Sequence, residues 1–429
     1  MDVAIAFIIF IISYIGIMTE RINRALVACC GGVLMLILGI LKVEQAFFEH
    51  VDWNTIALLF SMMILVSITS QNGVFEYIAV KLAQRVKGRP IPLLIVLSTI
   101  TAVGSALLDN VTTVLLLVPI ILTLTSLLQV TSIPFLICAI LFANIGGTAT
   151  LIGDPPNIMI GQAVDHLDFI DFLFHLGPVV LIIFIVVISG ISIYYRKSLY
   201  ISQQRRNELL NLNPSSFLKK GPLLYKSVSV LTLTIVGFLL HTILHLDLTT
   251  VAMSGALLLL LITTKEQEIE EVFRSIEWIT LFFFIGLFIL VGGLIEVGLI
   301  DEMARSILSF TEGDLPKTAI VILWGSGLLS GFIDNIPFVA AMIPVIMEFE
   351  EYGMQNLDPL WWSLALGACL GGNATLIGAS ANVIVAGLAI KSKQSFSFLQ
   401  FLLIGFPVVI VSLSVSTIYV ILRYLLPYF

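Results

Sequence analysis

Charge is scarce in this sequence. Of its 429 residues only 11% are Asp, Glu, Lys or Arg, and 59% are hydrophobic, whereas a soluble domain carries roughly a quarter charged residues. That shortage excludes water as the main solvent. Cysteine is scarce too, and Cys29, Cys30, Cys138 and Cys369 all fall inside apolar segments without metal-ligand spacing. A disulfide frame and a thiol metal site are therefore not expected, and the four are read as packing residues. The sequence holds no Gly-rich loop ending in GK[ST], no HExxH and no GxSxG, so ATP hydrolysis by this chain alone and an enzymatic role are not expected. No cofactor is implied. The net charge of −7 is spread over short connections, which argues against nucleic acid as a partner.

What is present is a series of apolar stretches of membrane-spanning length from one end to the other. The reading is an all-α, multi-pass integral protein with the lipid bilayer as its partner. The first run, Val3 to Met18, has neither a basic leader nor a small-residue cleavage site and is expected to be a retained span.

The chain repeats itself at an offset of 225 residues. Val51-Asp52-Trp53 meets Ile276-Glu277-Trp278, Asp109-Asn110 meets Asp334-Asn335, and Ala149-Thr150-Leu151-Ile152-Gly153 meets Ala374-Thr375-Leu376-Ile377-Gly378. A register this constant marks a duplicated module. The division is 1–196 for the first membrane repeat, 197–227 for a polar cytoplasmic linker read as irregular, and 228–429 for the second repeat.

Within the first repeat the apolar pattern predicts spans over 3–18, 24–41 and 53–72, then an amphipathic stretch over 74–88. The run 91–128, interrupted by Asp109-Asn110, is too long for one helix and is read as a re-entrant hairpin with its tip near the bilayer midplane. A span over 134–165 is broken by NIGGTATLIGDPPN, and 177–196 closes the repeat. Five crossings plus a hairpin is an odd number of crossings, so the second repeat is expected to be inverted. With the linker in the cytoplasm, 17 of the 21 Lys and Arg fall on the inner side, leaving Lys42, Arg305, Lys317 and Arg423 outside, as the positive-inside rule requires. Both termini then lie outside. The acidic connection 265–277 is the one dissenting feature, and acids count little in that rule.

Irregular backbone at membrane depth is tolerated only where protein or a watery cavity satisfies it. Four such elements occur: the tips LLDNVTT and FIDNIPF, and the breaks NIGGTATLIGDPPN and CLGGNATLIGASAN. Half-helix N-termini attract anions and freed carbonyls attract cations, so the four are expected to build one central solute and ion site. Asp109, Asp154 and Asp334 are the carboxylates placed at membrane depth, where acids are costly and functional by default. Each also has a plain structural reading as a helix cap. Asp154 is set apart because its counterpart is Ala379; it is the first choice for a proton-exchanging or cation-pairing group.

Asn110, Asn335, Asn144, Asn373, Asn157 and Asn382 offer uncharged donors and acceptors. Thr112, Thr113, Thr148, Thr150 and Thr375 add hydroxyls, though for any single Thr a bond back to the preceding turn is the better expectation. Gly146, Gly147, Gly371 and Gly372 allow bent backbone and close approach. His241 and His245 have no counterparts in the first repeat and are expected to pack or sit at an interface, while His50, His166 and His175 are placed in outer loops.

These strings resemble the ion transporter superfamily, which includes arsenite efflux permeases, sodium/proton antiporters of the NhaD type, citrate and dicarboxylate carriers, and the pink-eyed dilution (P) permeases. LLDNVTTVLLLVP, NIGGTATLIGDPPN, FIDNIPFVAAMIP and GACLGGNATLIGASANV are most similar to the P permeases, and the likeness covers essentially the whole chain. It implies paired scaffold and transport parts and frequent homodimers, and the expected host is a plasma or inner membrane. The dicarboxylate branch has Ser-Asn-Thr at its tips, whereas Asp-Asn stands here. The expectation is therefore a secondary transporter coupled to protons or sodium, carrying a small inorganic solute, with arsenite or antimonite export in exchange for protons first. Sodium/proton exchange and a citrate-like anion permease are alternatives within transport. A channel-like pore, or the membrane subunit of a pump with a separate ATPase, is the alternative of another class.

Overall fold

The computed structural model describes residues 2–19, 22–219, 221–263 and 266–428. Arg21, Lys220 and Lys265, counted above on the inner side, lie outside the described residues. Among the described residues the regular structure is helical throughout, as expected where each backbone donor must find an acceptor within its own segment.

The first half runs α1 (Asp2–Thr19), α2 (Arg24–Ile37), a single turn α3 (Val43–Gln45), α4 (Trp53–Ser70), α5 (Val74–Arg85), α6 (Pro90–Leu107), α7 (Asn110–Leu127), α8 (Ile133–Gly147), α9 (Pro155–Ala163) and α10 (Phe169–Tyr195). A short α11 (Gln203–Asn211) lies in the connector. The second half runs α12 (Pro222–Leu244), α13 (Leu248–Thr263), α14 (Glu266–Ser275), α15 (Trp278–Glu296), α16 (Leu299–Thr311), α17 (Leu315–Ser330), α18 (Asn335–Glu351), α19 (Asp358–Gly371), α20 (Ser380–Lys391) and α21 (Phe398–Val420). Among the described residues eight helices are long and apolar enough to cross a membrane, and the protein is an integral multi-pass membrane protein.

The duplication holds at the level of helices. From α4 to α9 the helices begin at 53, 74, 90, 110, 133 and 155, and α15 to α20 begin 225 residues later at 278, 299, 315, 335, 358 and 380. Packing between the copies is reciprocal: α2 lies on α15 and α13 on α4, while α7 lies on α20 and α18 on α9. Such mutual contacts are those of a two-fold relation. Shared turn chemistry sets shared boundaries. Gly73 and Gly298, at φ +70° and +74°, start α5 and α16 in a backbone conformation that suits glycine. Prolines sit in the first turns of α6, α8, α9, α17 and α19, where the missing N–H has no partner to lose.

The arms α6 and α7 each have 18 residues and pack against each other and α8. The broken span places 15 residues in α8 before the break and 9 in α9 after it. At 1.5 Å per residue these are about 22 and 14 Å long, together more than the roughly 30 Å hydrocarbon thickness. Neither segment alone reaches that thickness.

Several boundaries differ from the sequence expectation. The span read as 24–41 stops as a helix at Ile37, because Gly39 turns the chain at φ +72°. A π-helical turn, Ala46–His50, then leads to α4. α10 begins at Phe169 rather than near 177, since Asp168 and Asp171 form a reciprocal capping box. The connector, read as irregular, contains α11, which Ser202 caps. It is fastened to α5, where Gln84 Nε2 donates to the carbonyls of Leu209 (2.9 Å) and Leu212 (2.7 Å). His175 is not in a loop. It lies within α10, stacked on Trp362 with Nδ1 2.7 Å from the Tyr424 hydroxyl. His241 lies in the last turn of α12, 3.2 Å from the Leu246 carbonyl and 4.0 Å from Asp168.

Candidate functional site

Each hairpin tip is a helix start. Asp109 caps α7: its carboxylate accepts from the Thr112 N–H at 2.6 Å and the Thr112 hydroxyl at 2.6 Å. Asp334 caps α18 through the Ile336 N–H at 3.1 Å. Asn110 and Asn335, first residues of those helices, then point inward and are buried.

The two asparagines meet at one carboxylate. Asp154, wholly buried at the start of α9, accepts from Asn110 Nδ2 at 3.1 Å and from Asn335 Nδ2 at 3.4 Å. Its own N-cap position makes no side-chain capping bond, so the carboxylate is turned to the junction between copies. A single buried acid thus accepts from equivalent amides of both halves.

Around it a second layer ties copy to copy. Asn144 Nδ2 donates to Asn373 Oδ1 and to Asn382 Oδ1, both at 3.0 Å. Cys369 donates to Asn157 Oδ1 at 3.4 Å. At the 225-residue offset Asn144 corresponds to Cys369 and Asn382 to Asn157, so these are one contact made twice. Cys369 is thus more than the packing residue the sequence suggested. Asn157 also donates to the carbonyls of Thr148 (3.2 Å) and Thr150 (2.9 Å), and Asn382 to those of Gly372 (2.7 Å) and Thr375 (2.9 Å). Four of the carbonyls at the breaks, expected to attract a cation, thus already accept from carboxamides.

The remaining candidates divide. Thr148 bonds back to the Asn144 carbonyl at 2.7 Å, as expected for a helical Thr. Thr150 and Thr375 instead bond across to the carbonyls of Ala106 and Gly331, each at 2.6 Å, and pin break to hairpin in both copies. Thr113 is buried with no partner for its hydroxyl. The glycines serve packing rather than ligand contact: a Cβ at Gly146 would stand 2.1 Å from the Ala102 carbonyl, and one at Gly371 2.3 Å from that of Gly327. Gly147 and Gly372 face the backbone of Gly153 and Gly378 in the same way.

Sequence reasoning missed a cation here. Arg24, counted only as an inner-side charge, opens α2 and reaches Asp334 Oδ2 at 3.1 Å and Thr280 at 3.4 Å. Its guanidinium also donates to Ser380, which itself lies 3.1 Å from Asp334 Oδ2, and it stands over the Phe283 ring at 5.0 Å. A signal existed. Arg24 corresponds to Thr249 and Ser380 to Pro155, the same departure from the repeat that singled out Asp154.

A family model described as "Citrate transporter" (CitMHS) matches residues 14–367. A "46 kDa membrane protein" of Mycobacterium leprae is 40% identical over 98% of this chain and 99% of its own length. The "P protein" of Sus scrofa is 34% identical over 99% of this chain and 60% of its own length. Among solved structures, the YdaH transporter of Alcanivorax borkumensis aligns with a TM-score of 0.56 at 12% identity, over 92% of this chain and 89% of that one. MtrF of Neisseria gonorrhoeae, described with a class of antimetabolite efflux pumps, aligns at 0.58 and 10% identity over 98% and 94%. At such identities the likeness concerns the fold.

Proposed function

Because the chain belongs to the citrate transporter family and is a membrane transporter of the type that includes the P permeases, we propose that it works as a proton-coupled secondary transporter whose solute meets Asp154. The observation that carries this reading is the convergence of Asn110 and Asn335, one from each hairpin tip, on that single buried carboxylate. An acid in such a place is costly unless it exchanges a proton or meets a charge. Protonation removes that cost, and release of the proton restores a strong acceptor for the next solute. A proton suits the site better than sodium, because four break carbonyls that could ligate a bare cation, those of Thr148, Thr150, Gly372 and Thr375, accept from Asn157 and Asn382. On this reading, with five crossings per copy, the halves run in opposite directions and share one site between them.

For cargo, the carboxamide lining favours a small hydroxylated solute, with arsenous acid or its antimony analogue exported in exchange for protons as the first candidate. Asn110 Oδ1 is buried without a hydrogen-bond donor, and a solute hydroxyl would supply one. A small carboxylate anion is the second reading, favoured by the Arg24 guanidinium at the second tip and by the description of the family.

Purified protein in liposomes tests this with labelled arsenite and labelled citrate under imposed pH or sodium gradients. Arsenite flux driven by a pH gradient is the expected result, and citrate flux in its place selects the second reading. Flux unaffected by either gradient would instead describe a channel. Asp154→Asn is expected to bring coupled flux down to that of protein-free liposomes while the elution profile stays unchanged, and wild-type coupling in this variant would overturn the role of Asp154.

A further inference from the structure

Far from the carboxamide network, the π-helical turn before α4 meets the C-terminal end of α15. Glu296 stands 16 residues along α15 from Thr280, about 24 Å from the Arg24 contact at 1.5 Å per residue. Glu49, His50 and Glu296 converge here, each presenting a ligand atom within 4.8 Å of the others. His50 Nε2 lies 3.3 Å from Glu296 Oε1. That is close to the edge of a tetrahedron of N and O donors at about 2.0–2.1 Å from a zinc ion. Gln45 Nε2, at 3.5 Å, approaches the same Glu296 oxygen from one turn earlier.

The corner is built to admit the imidazole. Gly292 lies one helical turn before Glu296, and a Cβ there would stand 2.6 Å from His50 Cγ. The same corner in the other copy shows what the fold needs without this chemistry. At the 225-residue offset Gly292 corresponds to Ser67, His50 to Ser275, Glu49 to Arg274 and Glu296 to Gln71. Ser67 and Ser275 close that corner with a hydrogen bond of 2.5 Å. Helix packing is thus met by two serines, and the His–carboxylate set is an addition to one copy only. Glu49 and His50 also line a cavity of about 360 Å³, together with Met159 and Gln162 of α9 and Ile343 of α18. That opening leaves room for water as a further ligand.

We propose that Glu49, His50 and Glu296 form a binding site for a divalent transition-metal ion, zinc by its mixed N and O donors, that joins the π-helical turn of the first copy to α15 of the second. One imidazole with two carboxylates favours zinc over magnesium or calcium, which prefer all-oxygen ligand sets. A bound ion would hold together segments that are 246 residues apart in sequence at His50 and Glu296 and would stabilise the folded chain by linkage.

The test is thermal unfolding of the full chain in detergent, followed by intrinsic fluorescence, with zinc, magnesium or calcium chloride as the probe. Zinc is expected to raise the wild-type midpoint by roughly 3–5 °C through linkage, with no comparable rise from the other two salts. His50→Ser and Glu296→Gln install residues that the equivalent corner already tolerates, and both are expected to abolish the shift. Glu49→Gln, at an exposed position, guards against a folding defect and is expected to weaken zinc binding at least tenfold by calorimetry, while Glu44→Gln leaves it unchanged. An unchanged wild-type midpoint, an equal shift in His50→Ser, or the same shift with magnesium would overturn the proposal.

Discussion

The two hairpin tips carry the same Asp-Asn pair at the same register and use it differently. At the first tip both carboxylate oxygens of Asp109 turn back onto Thr112, which offers an N–H and a hydroxyl. At the second tip the corresponding position is Pro337, which has neither. Asp334 therefore satisfies only one oxygen locally, at the Ile336 N–H, and the other reaches Arg24 and Ser380. One acid belongs to its own helix and the other joins hairpin, broken span and α2. A repeated residue keeps its place in the fold, while its partners, which are not repeated, decide what it does.

The comparison can be broken most severely at Arg24. Arg24→Thr, which installs the residue of the other copy, and Asp334→Asn each remove one partner of a largely buried pair and are expected to cost about 3 kcal/mol of stability. The double variant is expected to cost clearly less than the sum, with an interaction energy of about 1–3 kcal/mol. Unfolding midpoints in detergent measure all three, and simple additivity would dissolve the pair.

Pro337→Thr sharpens the contrast by giving the second tip the cap of the first. If local capping is what holds Asp109 at home, this change should draw Asp334 back onto α18. The Arg24–Asp334 interaction energy, read by the same double-variant cycle in the Pro337→Thr background, is expected to fall by roughly 1 kcal/mol.

Asp109→Asn is expected to cost less, about 1 kcal/mol, since only a cap is weakened and Asn also caps. Thr112→Val, which keeps the N–H and loses the hydroxyl, should be the mildest at about 0.5–1 kcal/mol. A loss from Asp109→Asn as large as that from Asp334→Asn would mean that the tips are not distinguished by their partners.

Much of this was legible beforehand because it is local or periodic. The hairpin arms, the breaks and the starts of α4 to α9 and α15 to α20 follow from apolar run length, proline and glycine placement and the constant offset. The carboxamides Asn110, Asn335, Asn144, Asn157, Asn373 and Asn382 also converge as a group. Two features of the site were not read. Arg24 stands at the end of an apolar run, where a cation is ordinary by the rules of topology, and Cys369 looked like any small apolar residue. Both gain meaning from partners 310 and 212 residues away, a separation that no local pattern encodes.

By itself the sequence determined that this chain lives in a membrane, that it is made of two like modules, and where each module must break its helices. The first and the last follow from the cost of polar backbone in lipid, which acts on every segment alone, and the second from the constant offset of 225 residues. Only the tertiary structure decided that Asn110 and Asn335 share Asp154, that Arg24 belongs to Asp334, and that four of the break carbonyls accept from Asn157 and Asn382. Those outcomes depend on which unrepeated side chain stands within about 3 Å of a repeated one, and that distance is set by how the copies pack against each other.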